Sequence, residues 1–249
     1  MMPVDAFLND PPQQISPKET ETRIQAWQER IQENLMVLGY PTAPYWKNVT
    51  LVAVTKHADI YAIEGAVRCG LLAMGENKAV EALAKRSTLP KAVNEAIEWH
   101  FIGHIQRNKL NKIVGHYDLI HSVDNLELAQ SIAEKAKALH LQQSILVQVN
   151  TSGELSKQGV SPEHLTSLVE ALLALSPALK VMGLMTMAPL TEEFHTIDAC
   201  FKRLKTLKET VETRLGIELP HLSMGMSNDY SQALANDATI VRIGTKLFA

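Results

Sequence analysis

Several apolar runs along this chain are continuous rather than alternating, among them Leu51-Val52-Ala53-Val54 and Ile145-Leu146-Val147. A strand with one wet face alternates apolar and polar residues. A strand that is apolar at every position must be covered on both faces, as happens in parallel sheets flanked by helices. Strands are expected near residues 50–54, 71–74, 99–102, 119–121, 145–149, 181–185, 221–224 and 240–243, with helical patterns in the seven gaps between them. Eight such strands in 249 residues match a single α/β domain of the TIM-type (β/α)8 barrel in count and size. An open doubly wound sheet is the alternative arrangement of the same elements.

A helix precedes the first strand. Ser16 can cap it, Pro17 suits the first helical position, and Glu19 completes a capping box. Ile24, Trp27, Ile31, Leu35 and Leu38 then recur at three- and four-residue steps, and Gly39 and Pro41 end the helix. Seven helices around eight strands leave one outer slot vacant, which this extra N-terminal helix is expected to fill. The helix after the fourth strand is expected to open with Asp124 and Glu127 in capping-box relation, and the next with Ser161-Pro162-Glu163. After the sixth strand, Phe194, Ile197, Phe201, Leu204, Val211 and Leu215 share one face of a long helix that stops at Gly216. Residues 1–15 read as a flexible lead-in and 16–249 as the barrel, with neither a repeat nor a composition break to mark a second domain.

Composition removes several functions. The formal net charge of −3 gives no nucleic-acid footprint or membrane-binding stripe. No apolar stretch approaches the length of a membrane span. The first residues lack the basic start and apolar run of a secretory signal. Cys69 and Cys200 form no metal or redox spacing, which suits a reducing, cytoplasmic compartment.

In a parallel barrel the reactive groups lie at the C-terminal ends of the strands and in the loops that follow. The first strand runs into Val54-Thr55-Lys56-His57, the second into Gly75-Glu76-Asn77, the seventh into Gly225-Met226-Ser227-Asn228-Asp229, and the eighth into Gly244-Thr245. Polar and glycine residues thus gather at one end. Lys56 is the most informative of them. At the mouth, partial desolvation would favour a neutral amine able to form an imine; a solvated lysine at a strand end is the plainer reading. Barrels often hold phosphate in the loops after strands seven and eight. Ser227 and Thr245 can add hydroxyl donors there, and Gly244 allows close backbone approach, although Ser-Asn-Asp alone is also an ordinary helix cap. An aldehyde carrying a phosphate would satisfy all three features together.

Other candidates carry less. His100 and His104 are spaced for a metal only on a helix, and no carboxylate pattern completes a site, so they read as structural or site-lining. Gly70, Gly75 and Gly103 form no dinucleotide fingerprint. The methionines in 182–187 and 224–226 read as barrel core, and the charged run 202–208 as a solvated helix face.

The segments LVAVTKHAD, MGEN, WHFIGHIQRNK, HSVD, VQVNTSGELSKQG, GLMTM, LSMGMSNDYSQA and VRIGT, in that order, resemble the successive signatures of the pyridoxal-phosphate homeostasis family (YggS/PROSC type). The resemblance runs from about Thr50 to Phe248. It implies a barrel similar to the alanine racemase N-terminal domain, with pyridoxal 5′-phosphate held as a Schiff base on Lys56. By the same matching Asn77 lies beside the cofactor ring, Arg242 near the pyridine nitrogen, and Ser227, Gly244 and Thr245 around the phosphate. It further implies a monomer without an established reaction, associated with balancing free pyridoxal phosphate and amino- and keto-acid pools. Two residues depart from the pattern: Lys78, where an aromatic often follows GEN, and Lys246, where a small residue is common.

Two classes of function remain. Barrel-type racemases and decarboxylases carry an additional β domain that closes the site, whereas this chain ends five residues after Gly244. An arginine can only donate, so Arg242 would leave the pyridine nitrogen unprotonated, which disfavours decarboxylation. The absence of an obvious second base disfavours racemisation. The preferred reading is therefore a non-enzymatic carrier or regulator, with cofactor-requiring apo-enzymes as candidate recipients. The alternative is a pyridoxal-phosphate-dependent racemase or decarboxylase.

Overall fold

Strands that are apolar on both faces need a cover on each side, and this chain supplies two different ones. A computed structural model describes residues 16–154 and 157–248; the expected lead-in 1–15 lies outside them. In chain order the elements are α1 (Pro17–Leu38), β1 (Thr50–Val54), α2 (Ile60–Arg68), β2 (Ala73–Glu76), α3 (Ala79–Arg86), α4 (Lys91–Ala96), β3 (Glu98–Phe101), β4 (Leu119–Val123) and α5 (Leu126–Ala138). There follow β5 (Gln143–Gln148), α6 (Leu165–Leu173), β6 (Leu179–Met185), α7 (Phe194–Leu215), β7 (His221–Ser223), α8 (Tyr230–Ala235), β8 (Ile240–Ile243) and α9 (Thr245–Phe248). Every adjacent pair of strands is parallel. β8 pairs back onto β1, with Thr50 opposite Ile240 and Ala53 opposite Ile243, so the sheet closes into an eight-stranded barrel. The open-sheet alternative is excluded.

Period-two alternation divides the apolar residues between two cores. Val52, Ala73, Leu119, Leu146, Met185 and Ile240 pack together inside the barrel. Their neighbours Leu51, Ala53, Met74, Ile120, Ile145 and Val241 join the core beneath the helices.

The N-terminal helix fills the outer slot as expected. The Ser16 hydroxyl accepts the Glu19 N–H at 3.2 Å, and Gly39 ends α1 in the left-handed region at φ 70°. Ile24, Ile31, Leu35 and Leu38 are buried, each stabilising the docked helix by about 1.5–3 kcal/mol. Trp27 meets the Phe248 ring edge-on at 6.2 Å, and Asn34 donates to the Leu247 carbonyl at 3.0 Å. α1 also packs against α2, where a Cβ on Gly65 would lie 2.9 Å from that of Trp27. It therefore sits between α2 and α9.

Several local expectations are corrected. α5 is capped by Asn125, whose side chain accepts the Leu128 N–H at 2.8 Å. Asp124 lies one residue too early; it accepts from Asn125 instead, and Glu127 pairs with Arg107. Ser161 precedes a 3-10 turn, Pro162–His164, and makes no side-chain cap bond. The third gap holds a 3-10 helix, Arg107–Lys112, rather than an α-helix, and the second holds two short helices. β2 begins two residues later than expected, so Gly75 and Glu76 are strand residues. A Cβ on Gly75 would lie 2.8 Å from Val52 Cγ1, which explains a glycine inside the wall. Met185 and Met224 are core as expected, but Met187 and Met226 are exposed. Lys202 and Lys205 lie at the surface, paired with Asp198 and Asp237. Among the described residues no helix is long and apolar enough to cross a membrane.

Candidate functional site

Strand register gathers the expected site residues. Val54 of β1 pairs with Gly75 of β2, and on its other side Val52 pairs with Arg242 of β8. Lys56 and Asn77 each stand two residues beyond the Val54–Gly75 pair, while Gly244 and Thr245 extend the neighbouring β8. Three adjacent strands, β8, β1 and β2, thus deliver five of the six residues to one side of the mouth. The sixth, Ser227, comes from the loop after β7.

Lys56 is exposed, so the partial desolvation expected at the strand end is not provided by the surrounding walls. It lines a cleft of about 470 Å³ with His57, Glu76, Asn77 and Lys85. The backbone just before it is clamped. Glu76 Oε1 accepts from the Thr55 hydroxyl at 2.7 Å and pairs with Lys85 Nζ at 2.6 Å. Lys85 also donates to the Thr55 carbonyl at 2.6 Å. The Glu76 side chain is only 3% exposed, so a carboxylate has been buried with its cation to hold the end of β1.

Asn77 is half-buried and also faces a second cleft of about 400 Å³, lined by Lys78, His104, Gln106 and Lys109. Lys78 is exposed, 3.7 Å from Glu81. His104 lies on that exposed rim while His100 is buried in the barrel, so the two do not converge. Among the described residues no group of three or more His, Cys, Asp or Glu could hold a metal.

Arg242 is buried inside the barrel. Its Nη1 donates to Ser223 Oγ at 2.6 Å and its Nη2 to the Thr186 carbonyl at 2.9 Å. Both acceptors are uncharged oxygens. Burial pulls its pKa down to about 10, partly opposed by Asp229. These bonds use two of five N–H donors, which leaves others for an incoming acceptor.

The loops after β7 and β8 meet each other. Ser227 Oγ accepts the Lys246 N–H at 3.4 Å. Asp229 does not cap α8 with its side chain; it turns back to accept the Met226 N–H at 2.5 Å and folds the loop that carries Ser227. A Cβ on Gly244 would lie 3.3 Å from that of Val54, so the glycine keeps β8 tight against β1. Thr245 is exposed at the start of α9, where the first backbone N–H groups lack helical partners. The Lys246 ammonium lies 4.9 Å from the Tyr230 ring centroid. The Lys56 amine, the buried Arg242 guanidinium and the loops carrying Ser227, Gly244 and Thr245 therefore all stand around one mouth. Sequence reasoning missed Glu76 and Lys85, and it missed Ser223 and His121 behind Arg242. A polar residue at an inward position of an apolar strand, as His121 is two residues after Leu119, was the available signal.

With a lysine just beyond β1, a buried guanidinium on β8 and glycine-containing loops after β7 and β8, the barrel belongs to the class of alanine racemase N-terminal domains, as its family match shows. A family model described as "Alanine racemase, N-terminal domain" matches residues 28–249. A "Pyridoxal phosphate homeostasis protein" of Aquifex aeolicus is 41% identical over 198 residues, covering 80% of this chain and 85% of the relative. One of the same name from Pseudomonas aeruginosa is 41% identical over 219 residues, covering 88% of this chain and 90% of the relative. The structure of PipY from Synechococcus elongatus with PLP bound aligns with a TM-score of 0.78 at 34% identity, over 88% of this chain and 100% of that one. The chain belongs to the pyridoxal phosphate homeostasis protein family.

Proposed function

We propose that this chain binds pyridoxal 5′-phosphate through Lys56 and acts in cofactor and amino- and keto-acid homeostasis rather than in turnover. Arg242 carries the reading. A buried guanidinium bonded to two neutral oxygens, with donors to spare beneath the mouth, suits a ring nitrogen that only accepts. When bound, the cofactor would supply an electrophilic aldehyde; the protein supplies the amine, the ring contact and the cradle. Asn77 lies beside the ring in this reading, and Ser227, Gly244 and Thr245 hold the phosphate. Residues 16–249 work as one unit, as a cytoplasmic monomer that yields the cofactor to apo-enzymes. The relative with PLP bound supports the ligand, and the names of the curated relatives support the role.

Borohydride reduction of the loaded protein followed by peptide mapping tests the linkage. The adduct is expected on Lys56 alone and is lost in Lys56→Ala; an adduct on Lys109 or Lys157 overturns the assignment. Pyridoxal lacking the phosphate is expected to bind about 10- to 150-fold more weakly, the range for one lost charge-assisted contact. Equal affinities would mean that the phosphate loops are misplaced. Arg242 leaves the ring nitrogen unprotonated, so L- and D-amino acids are expected to perturb the spectrum without sustained racemisation or carbon dioxide release. Turnover near about one per second, the low end for ordinary enzymes, would establish the racemase or decarboxylase alternative instead.

A further inference from the structure

Below the mouth a hydrogen-bonded chain of five side chains crosses the barrel. Arg242 Nη1 lies 2.6 Å from Ser223 Oγ, and Ser223 Oγ lies 2.9 Å from His121 Nδ1. His121 Nε2 lies 2.9 Å from His100 Nδ1, and His100 Nε2 lies 3.1 Å from Glu98 Oε1. Ser223, His121, His100 and Arg242 are all buried, whereas the Glu98 side chain is 58% exposed at the N-terminal end of β3, opposite the mouth.

The two ends set the direction of the chain. A guanidinium only donates and an ionised carboxylate only accepts. Ser223 Oγ, taking an N–H from Arg242, passes its own hydrogen to His121 Nδ1. His121 then carries its hydrogen on Nε2 and donates to His100 Nδ1, and His100 donates from Nε2 to Glu98. Every donor meets an acceptor with both rings neutral and in the same tautomer. Burial holds His121 well below the usual imidazole range, and the Arg242 charge acts in the same direction. The His100 hydrogen bond holds the Glu98 carboxyl below its usual range, so the far end is an anion at neutral pH. The titratable groups facing these rings are Glu98 on β3, His221 on β7 and Arg242 on β8, with Asp229 beyond Arg242.

Packing alone does not account for the chain. The neighbouring interior positions hold Val52, Ala73, Leu119, Leu146, Met185 and Ile240, and apolar residues there would avoid burying two imidazoles. A buried cation, however, needs compensation. A carboxylate set directly against the guanidinium would also place an acid beside whatever the arginine contacts. A polarised chain conveys the compensation from the far end without doing so.

We propose that Ser223, His121, His100 and Glu98 are positioning residues that link the Arg242 cation to a carboxylate at the opposite end of the barrel, so that the arginine meets the ring nitrogen as an oriented, charged donor. The inference rests on the reading that Arg242 faces that nitrogen.

The test is a pH titration of the visible absorbance of the cofactor-loaded full chain, with cofactor affinity and the ¹⁵N shift of ring-labelled cofactor measured beside it. Removing the remote negative charge disfavours protonated forms at the mouth, so Glu98→Ala is expected to move the absorbance midpoint to lower pH. Ser223→Ala, which breaks the chain next to Arg242, is expected to move it the same way. It should also weaken binding about fivefold or more, equivalent to about 0.7 of a pH unit and the low end of ordinary coupling between sites. Glu98→Gln, which keeps an acceptor but not the charge, should fall between Glu98→Ala and the parent. A thermal melt of each variant separates these effects from unfolding, and the exposed Glu98 variants are the ones least exposed to that failure. A parental midpoint and ¹⁵N shift in both Glu98→Ala and Ser223→Ala would overturn the inference. Arg242→Gln discriminates the two readings. If it alters the ¹⁵N shift while the chain variants do not, only the positioning role fails; if it too leaves the shift unchanged, Arg242 does not face the ring and both readings fall.

Discussion

Gly103 is where one missing carbon shapes the mouth most directly. A Cβ there would lie 2.1 Å from the Asn77 carbonyl oxygen and 2.7 Å from its Cα, because the loop after β3 runs directly over the backbone after β2. Gly103→Ala must therefore push Asn77 aside. It is expected to cost about 1–3 kcal/mol, as overpacking does, and to weaken cofactor binding with it. Thermal unfolding and a cofactor titration check both; parental values for the two would mean that the loops part freely. Glu76 acts differently, through charge. Glu76→Ala leaves Lys85 mostly buried without its carboxylate, and breaking such a pair costs about 3–5 kcal/mol. Urea unfolding should register that loss, and the end of β1 that carries Lys56 should loosen.

The caps decide where the helices begin. Asp124-Asn125 offers two residues able to cap, and the choice follows from where β4 releases the chain: α5 starts at Leu126, so Asn125 has the right spacing to Leu128. Asn125→Ala is expected to cost about 1 kcal/mol and Asp124→Ala clearly less, a difference that chemical denaturation resolves. The reverse order would return the cap to Asp124. At α1 there is no such competition. Ser16, Pro17 and Gly39 announce both ends in the sequence, and the structure keeps both. The Arg107–Lys112 segment was not legible as 3-10, because an isolated turn of either helix presents nearly the same short pattern.

Across the whole molecule the interior histidine ties stability to pH. His121 is fully buried and its pKa lies well below the ordinary 6.5, first through desolvation. His221 is lowered for the same first reason. A group depressed in the folded state stabilises the protein above its unfolded value, and that stability is lost as pH falls toward the folded value. Below pH 6.5 the unfolded chain takes up a proton that folded His121 refuses. Stability should then fall by at most about 1.4 kcal/mol per pH unit through His121, with His221 acting in the same direction. Urea midpoints measured from pH 7 to 5 should decline, and His121→Asn should flatten the decline. An unchanged slope in that variant would mean that His121 is protonated in the folded protein.

Continuous apolar runs announce burial on both faces, so a parallel sheet covered on both sides was readable from residues 51–54 and 145–147, while the count of eight strands favoured a barrel over an open sheet. Lys56 was readable for a similar reason, since it stands one residue past such a run, and Gly244-Thr245 follows the last expected strand. Their convergence on one side of the mouth depends on β8 closing against β1, which no local pattern states. The same holds more strongly for the groups behind them. Glu76 meets Lys85 across a helix, and His121 meets Ser223 from strands far apart in the chain. Hydrogen bonds of this kind depend on register and barrel shear, because a shift of one residue turns an inward side chain outward. Local composition therefore determined which strands are buried and where Lys56 stands, whereas only closure of the barrel decided which buried polar groups touch.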